Sequence, residues 1–346
     1  MTARSSGPGR VTLIDVATHV GMSRSAVSMA LSDHPEIAAR TKERVRTAAR
    51  ELDYVTNSAG RALRSQSAGS IALIVPDTGP LTFGHPYFMH LLVGVTEVCS
   101  GHDANVIIST NKDENSVAAY ERVLRSRAAD GAIVTVARVG DPHLSSLVDS
   151  GLPVVLMGRY PQFPDAVSVG IDDLSGARQV TEHLITEHQR RHLVHLGGPL
   201  GHQVTIERRK GFRQALTAAG LKPTKKVWTG DFSEESGREL TRQLLASGER
   251  FDAIFAANDE MAYGAIGVLQ ADGLAVPRDV SVVGFDDFGL ARVTTPGITT
   301  VRIPAEELAR AATERLFQLI GGVDPPERHL TLPLELIVRE SCGCNG

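Results

Sequence analysis

The stretch Thr12 to Asp53, TLIDVATHVGMSRSAVSMALSDHPEIAARTKERVRTAARELD, holds three short runs of helical periodicity separated by turn residues. In the first, Thr12 stands at a capping position with Asp15 three residues on, and Leu13, Val16, Ala17 and Val20 share one face. Gly21 ends it. Ser23 caps the second run, in which Val27, Ala30 and Leu31 point inward while Arg24, Ser25, Ser28 and Met29 point out. The third, from about Ala38 to Asp53, buries Val45, Ala49 and Leu52 and shows Arg40, Lys42, Arg44, Arg46 and Arg50 to solvent. A small helical core with a glycine in its turn is the arrangement of a helix-turn-helix, with the second run as the recognition helix. A three-helix protein-binding module fits the same pattern, because a basic helix face is often only a solvated one.

Charge separates this head from the rest. Residues 1–66 carry ten Arg or Lys against six Asp or Glu, a net of +4, while the remaining residues carry 26 against 34, a net of −8. A basic head on an acidic body implies that only the head meets a polyanion. The 346 residues exceed what one core usually holds, and 42% hydrophobic with 22% charged residues suits globular domains. No run approaches the roughly 20 apolar residues of a membrane span, and the start MTARSSGPGRVTL lacks the apolar core of a secretory signal. A cytoplasmic chain is expected. Three cysteines, Cys99, Cys342 and Cys344, are too few for a disulfide framework. Cys342 and Cys344 read as an inert terminus, since the short tail offers no further ligand.

From Ser70 onward, β-branched runs alternate with helical patterns: SIALIVPD, NVIIST, GAIVTV, PVVLMGR, VSVGIDD, HLVHLGG, KVWTGDF, DAIFAAND and VSVVGFDD. Such alternation means βαβ units and parallel sheets, and near-continuous apolar strands mean helices on both faces. The expected fold is therefore an all-α head plus an α/β body of two Rossmann-like lobes, divided near Asp165 to Gly170. Two segments echo one another, Val169-Gly-Ile-Asp-Asp173 and Val283-Gly-Phe-Asp-Asp287. Ligands of open α/β sheets bind beyond the carboxyl ends of the strands, so the loops there are the place to search.

Those loops carry no Gly-x-Gly-x-x-Gly, no Walker loop and no Gly-x-Ser-x-Gly elbow. Neither a dinucleotide enzyme nor a hydrolase is indicated, and no cofactor or metal is expected. His183 and His188, five apart, read as solvent-facing. What the loops do offer, charged and amide side chains with aromatic faces, suits a polar, hydroxylated ligand.

The run Thr12 to Ser65, together with ERRKGF at Glu207 to Phe212, AANDEMAYGA at Ala256 to Ala265 and VSVVGFDD, resembles the lactose and galactose repressor family over nearly the whole chain. That resemblance implies a periplasmic-binding-protein-like body, a symmetric dimer and double-stranded operator DNA as partner, with a small-molecule effector between the lobes, most simply a carbohydrate. It implies base contacts from Arg24, Ser25 and Met29 and phosphate contacts from Ser23, Ser28 and Thr41. Residues 57–68 would form a hinge helix and linker using Asn57 and Arg61, with Leu63 inserted into the minor groove. Thr56 stands where proline is usual, Gly60 where alanine is usual, and Ala38 where a capping serine is usual. The implied effector contacts are Arg208, Asn258 and Asp286, the aromatics Tyr87, Phe88 and Phe232, and Arg159 and His202 at variable positions. The expected boundaries are 1–56 for the head and 69–346 for the body. In the body, the N-lobe takes about 69–168 plus a returning segment near 300–330. The C-lobe takes about 169–299 plus the C-terminal strand region. A sugar-binding transport protein shares the body, but it would have an export signal and no DNA-binding head.

Overall fold

A computed structural model describes residues 11–54, 67–75, 84–111, 118–223 and 226–344, and the chain divides into two units, Met1–Ala68 and Gly69–Gly346. The first unit contains α1 (Leu13–Val20), α2 (Arg24–Leu31) and α3 (Ala39–Glu51), as the periodicity predicts. The Asp15 carboxylate accepts from both the backbone N–H (2.8 Å) and the hydroxyl (2.7 Å) of Thr12, and Gly21 closes α1 at φ 66°. Ser23 caps α2 by accepting from the Ala26 N–H. Ala38 offers α3 no side-chain cap. Val16, Ala17, Val27, Ala30, Val45, Ala48 and Ala49 form the core.

Two outward assignments need correction. Ser28 and Met29 are half-buried rather than exposed. Lys42 and Arg46 do not simply face solvent: both reach back to the Asp33 carboxylate at 3.0 Å, and Lys42 also donates to the Asp33 carbonyl. Asp33, at φ 61°, makes the turn out of α2, so two cations from α3 fix that turn.

In the second unit, all nine apolar runs form strands: β1 (Ser70–Val75), β2 (Asn105–Thr110), β3 (Gly131–Val134), β4 (Val154–Met157), β5 (Val167–Ile171), β6 (Leu193–Gly197), β7 (Trp228–Thr229), β8 (Ala253–Ala256) and β9 (Ser281–Val283). Three more follow, β10 (Thr300–Arg302), β11 (His329–Leu332) and β12 (Glu335–Ile337). The helices are α4 (Pro86–Gly101), α5 (Ala118–Ser126), α6 (Pro142–Val148), α7 (Asp173–Thr186), α8 (Gln203–Ala218), α9 (Glu234–Ala246), α10 (Asp259–Ala271), α11 (Leu290–Val293) and α12 (Ala305–Ile320).

One parallel sheet runs β11-β5-β4-β3-β1-β2 and a second runs β7-β6-β8-β9. Helix α12 lies on α4 and across β3, β4 and β5, and β11 adds to the edge of the first sheet beside β5. The chain crosses between lobes after β5, between β10 and α12, and between β11 and β12. Strands β10 and β12 pair antiparallel, and Arg302 and Arg339 brace the crossing by gripping Asp287 at 2.9 and 2.6 Å. β2 departs from the apolar-on-both-faces rule: it is the sheet edge, and Ile108 is exposed.

His183 and His188 do not face solvent. Both are half-buried and converge on Cys342 and Cys344, which contradicts the reading of an inert tail.

Candidate functional site

Arg208 lies on the inner face of α8 and is 4% exposed. A buried guanidinium requires counter-charge and acceptors for its donors. It receives both: Nε donates to Asp173 Oδ1 at 2.8 Å, and Nη1 donates to the Ala257 carbonyl at 2.6 Å and to Asp286 Oδ1 at 3.2 Å. Its Cζ lies 3.7 Å from the ring centroid of Phe285. Asp173 is there because it opens α7, and Asp286 because it follows β9. At φ 116°, Asp286 holds a conformation that side chains rarely adopt, kept by hydrogen bonds with the backbones of Val301 and Ile303.

Asn258 caps α10, its Oδ1 accepting from the Met261 N–H. Its amide group has a second task, donating to the Phe232 carbonyl (2.8 Å) and to Glu260 (2.8 Å), with His85 Nε2 3.1 Å away. A helix cap therefore doubles as a polar contact to Phe232 and Glu260. His85 comes from the other lobe, at the start of α4. Its Nε2 lies 3.1 Å from Glu260 and 3.6 Å from Asp286. A second link between the lobes is the Val139 N–H donating to the Gly201 carbonyl, beside His202.

Aromatic rings line one side. Phe288 stacks on His90 with centroids 5.0 Å apart and approaches Tyr87 (6.0 Å) and His85 (6.1 Å). Phe232, at φ 68°, lays its ring over Gly198, where a Cβ would fall 2.3 Å from the ring.

Burial dominates the electrostatics. It pushes the Asp286 carboxyl up to about 6 against the opposing pull of Arg208 and His85, and it lifts Asp173 above the ordinary carboxylate range against Arg208. Burial and then the charge of Asp286 hold Asp259 well above that range. Burial also pushes the Tyr87 hydroxyl up to about 12. For His85 burial alone would lower the pKa, but the Glu260 hydrogen bond and the charges of Asp286 and Glu260 outweigh it, with Arg208 opposing, and the net direction is up. A histidine pKa raised on folding adds stability below its unfolded value and loses it as pH rises through the folded one. The stability difference between wild type and His85→Gln is therefore expected to shrink from pH 6 to pH 8 in urea titrations. A difference constant across that range would mean that His85 is not paired as a cation.

The structure thus brings together Arg208, Asn258, Asp286, Tyr87 and Phe232 of the expected effector contacts. Phe88 is 7% exposed, part of the core, and backs Tyr87 edge-on at 5.5 Å. Arg159 is exposed after β4, and His202 is buried at the cap of α8. His85, Asp173, Glu260 and Phe288 were missed. Phe288 directly follows the segment VSVVGFDD, but nothing in the spacing of His85 or Phe288 marks them.

In the head, Arg24 and Ser25 are exposed in the first turn of α2, Ser23 caps it, and Thr41 is half-buried in the first turn of α3. Helix N-termini favour anions, so Ser23 and its neighbours suit a phosphate. Asn57, Arg61 and Leu63, with Thr56 and Gly60, lie outside the described residues.

Among the described residues, no helix is long and apolar enough to cross a membrane. Residues 12–57 match the lacI family of bacterial regulatory proteins, and residues 181–342 match a periplasmic binding protein-like domain. The chain is 34% identical to the HTH-type transcriptional regulator CelR of Thermobifida fusca, over 96% of this chain and 98% of that one. It is 33% identical to the regulator GntR of Pseudomonas aeruginosa, over 96% of each chain. The solved CelR–cellobiose complex superposes with a TM-score of 0.73 at 32% identity, covering 96% of this chain and all of that chain. A lac repressor dimer bound to operator and the anti-inducer ONPF superposes at 0.85 with 26% identity, covering 96% of this chain and 99% of that one. The match over the head removes the transport-protein reading, and the sequence resemblance is borne out: this chain belongs to the LacI family of DNA-binding transcriptional regulators.

Proposed function

We propose that the protein is a homodimeric repressor of a roughly palindromic operator, and that a carbohydrate bound between its lobes controls its DNA affinity. The observation that carries this reading is the buried Arg208, held by Asp173, Asp286 and the Ala257 carbonyl within reach of the other lobe's His85. Arg208, Asp286 and Asn258 supply paired donors and acceptors for vicinal hydroxyls, and Phe232, Phe288 and Tyr87 supply faces for the apolar side of a sugar ring. A sugar would take over the contacts that His85 makes with Asn258 and Asp286, so that its binding shifts the balance between lobe arrangements. CelR, solved with cellobiose, and the ribose operon repressor of Halalkalibacterium halodurans, 29% identical over 331 residues, make carbohydrates the first class to test.

The test is thermal unfolding of the whole protein against cellobiose, other disaccharides, ribose, sugar phosphates, polyols and purines. A ligand at 100 times its Kd adds about 2.7 kcal/mol of stability, a shift easily seen. A shift with a purine and with no sugar would overturn the carbohydrate assignment.

On the DNA side, Arg24 can donate two hydrogen bonds to guanine. With an operator selected from random DNA, Arg24→Ala is expected to weaken binding by about 1–3 kcal/mol and to relax the preference at one base position per half-site. An unchanged affinity and footprint would remove Arg24 from the base-reading set.

A further inference from the structure

At the end of α7, in the C-lobe, four side chains converge from two distant parts of the chain. His183 lies in the last turn of the helix and His188 in the turn after it, while Cys342 and Cys344 belong to the tail. The four atoms His183 Nε2, His188 Nε2, Cys342 Sγ and Cys344 Sγ all lie within 4.8 Å of one another. The two nitrogens are 3.3 Å apart. The nitrogen–sulfur distances are 3.4 Å from His183 to Cys342, 3.8 Å from His183 to Cys344 and 3.3 Å from His188 to Cys344.

Those lengths can be compared with the edges of a metal tetrahedron. Zinc–nitrogen bonds of ~2.0–2.1 Å and zinc–sulfur bonds of ~2.3 Å require nitrogen–nitrogen edges of ~3.4 Å and nitrogen–sulfur edges of ~3.6 Å. The one nitrogen–nitrogen and three nitrogen–sulfur distances each fall within a few tenths of an ångström of their edge. Hydrogen bonding alone gives a poorer account of the same cluster. The two imidazole nitrogens face each other, at most one of a facing pair can donate, and thiols are weak donors.

The surrounding structure holds the ligands in place. Cys342 is fully buried, and its carbonyl accepts from the Ser281 hydroxyl at 2.6 Å. The Thr299 hydroxyl, shared with the Arg339 carbonyl at 2.9 Å, lies 3.1 Å from Cys342 Sγ, the kind of outer contact that steadies a metal-bound thiolate. Ser341 ties the same turn to the Val282 carbonyl and to the Thr299 N–H. Between the cysteines, Gly343 takes φ 118°, and a Cβ there would sit 2.9 Å from His188 Nδ1. Any other residue would be strained there and would crowd the ring, so glycine lets both thiols face the histidines. The last carbonyls of α7 add a negative helix end that favours a cation.

We propose that His183, His188, Cys342 and Cys344 form a structural zinc site that fastens the C-terminal tail to the end of α7. Two thiolates and two imidazoles suit a borderline-soft ion and disfavour magnesium or calcium. Four protein ligands leave no open position, so the site is structural rather than catalytic. Binding releases the two thiol protons to solvent, one from each cysteine. Helix α7 opens with Asp173, the partner of Arg208, so the fastened helix is the one that positions the effector arginine's counter-ion.

The experiment uses the full chain, purified under reducing, oxygen-free conditions from cells grown with added zinc. Elemental analysis is expected to find about one zinc per chain, and well below one in Cys344→Ser and His188→Gln, at two half-buried positions. The cobalt-substituted protein needs no variant: it is expected to show thiolate-to-metal charge transfer in the ultraviolet and the intense visible bands of tetrahedral cobalt. Chelation is expected to lower the Tm of the wild type by a few degrees, an effect absent from His188→Gln. The proposal is overturned if the wild type holds no zinc after zinc is added and its cobalt form shows no thiolate band. It also fails if the reduced preparation proves lighter by two hydrogens, with Cys342 and Cys344 joined as a disulfide. Retention of a full equivalent of zinc by both variants would likewise sink it.

Discussion

Arg208→Ala is expected to cost about 3–5 kcal/mol of stability, because it strands two carboxylates that burial already disfavours. Asp173 and Asp286 are nearly inaccessible, and the Ala257 carbonyl would lose its donor as well. The loss should depend on pH in a definite direction. Without the guanidinium, both carboxyls rise further above their unfolded values, so the penalty is full above the new folded pKa values and is relieved as pH falls toward the unfolded range. Urea titrations at pH 7.5 and pH 5.5 are therefore expected to show a smaller deficit at the lower pH. An equal deficit at both would mean that Arg208 contributes chiefly by packing over Phe285. Arg208→Lys should recover only part of the loss, since an ammonium cannot reach the Asp173, Asp286 and Ala257 acceptors with a planar fork. In both variants the thermal shift with an effector sugar is expected to disappear.

Phe285→Ala is expected to lose about 3–5 kcal/mol through the cavity it leaves. The ring is fully buried, supports the Arg208 guanidinium on one side and fills the gap left by Gly176 on another, where a Cβ would lie 3.0 Å from it. Two effects are combined in that figure, and Phe285→Leu separates them. Leucine restores most of the apolar volume but offers no face to the cation. Guanidinium denaturation of the two variants, compared with binding of the effector, measures each part. If Phe285→Leu binds sugar as the wild type does, the ring acts only as filling and not as a seat for Arg208.

The fold was legible where burial imposes continuity on the sequence. Each of β1 to β9 sits at an apolar run, because central strands covered on both faces can hardly be anything else and the edge strands β2 and β7 keep a β-branched or aromatic side chain toward their sheet. The short β10 and β12 escape that rule. Glu335 and Arg302 pair across them at the surface, so these strands carry mixed composition. The head was legible for a similar reason, down to the Thr12–Asp15 cap. Its ion pairs were not: that Lys42 and Arg46 serve Asp33 depends on how the turn after α2 folds, which periodicity does not encode.

The site was legible by motif and illegible by partnership. Arg208, Asn258 and Asp286 stand in quoted segments, and the echoing segments Val169–Asp173 and Val283–Asp287 prove to deliver Asp173 and Asp286 to the same guanidinium. Glu260 and His85 are 175 residues apart, and only the closure of the lobes makes them neighbours. Phe88 stands one step after Tyr87 along α4, which turns its side chain by about 100° and sets it deeper in the core than sequence motif alone conveys. The tail cysteines were set aside for want of ligands within the tail, when their partners, His183 and His188, lie in a distant part of the chain.

The passages after β5, between β10 and α12 and between β11 and β12 have a mechanical consequence. A single connecting strand would act as a swivel and let one lobe roll freely over the other. Strands side by side, braced at Asp287 by Arg302 and Arg339, behave like the knuckles of a door hinge. They permit bending about one line and resist twist and slide. Effector binding energy entering such a joint has a single coordinate in which to be spent, and the signal leaving the cleft is an angle.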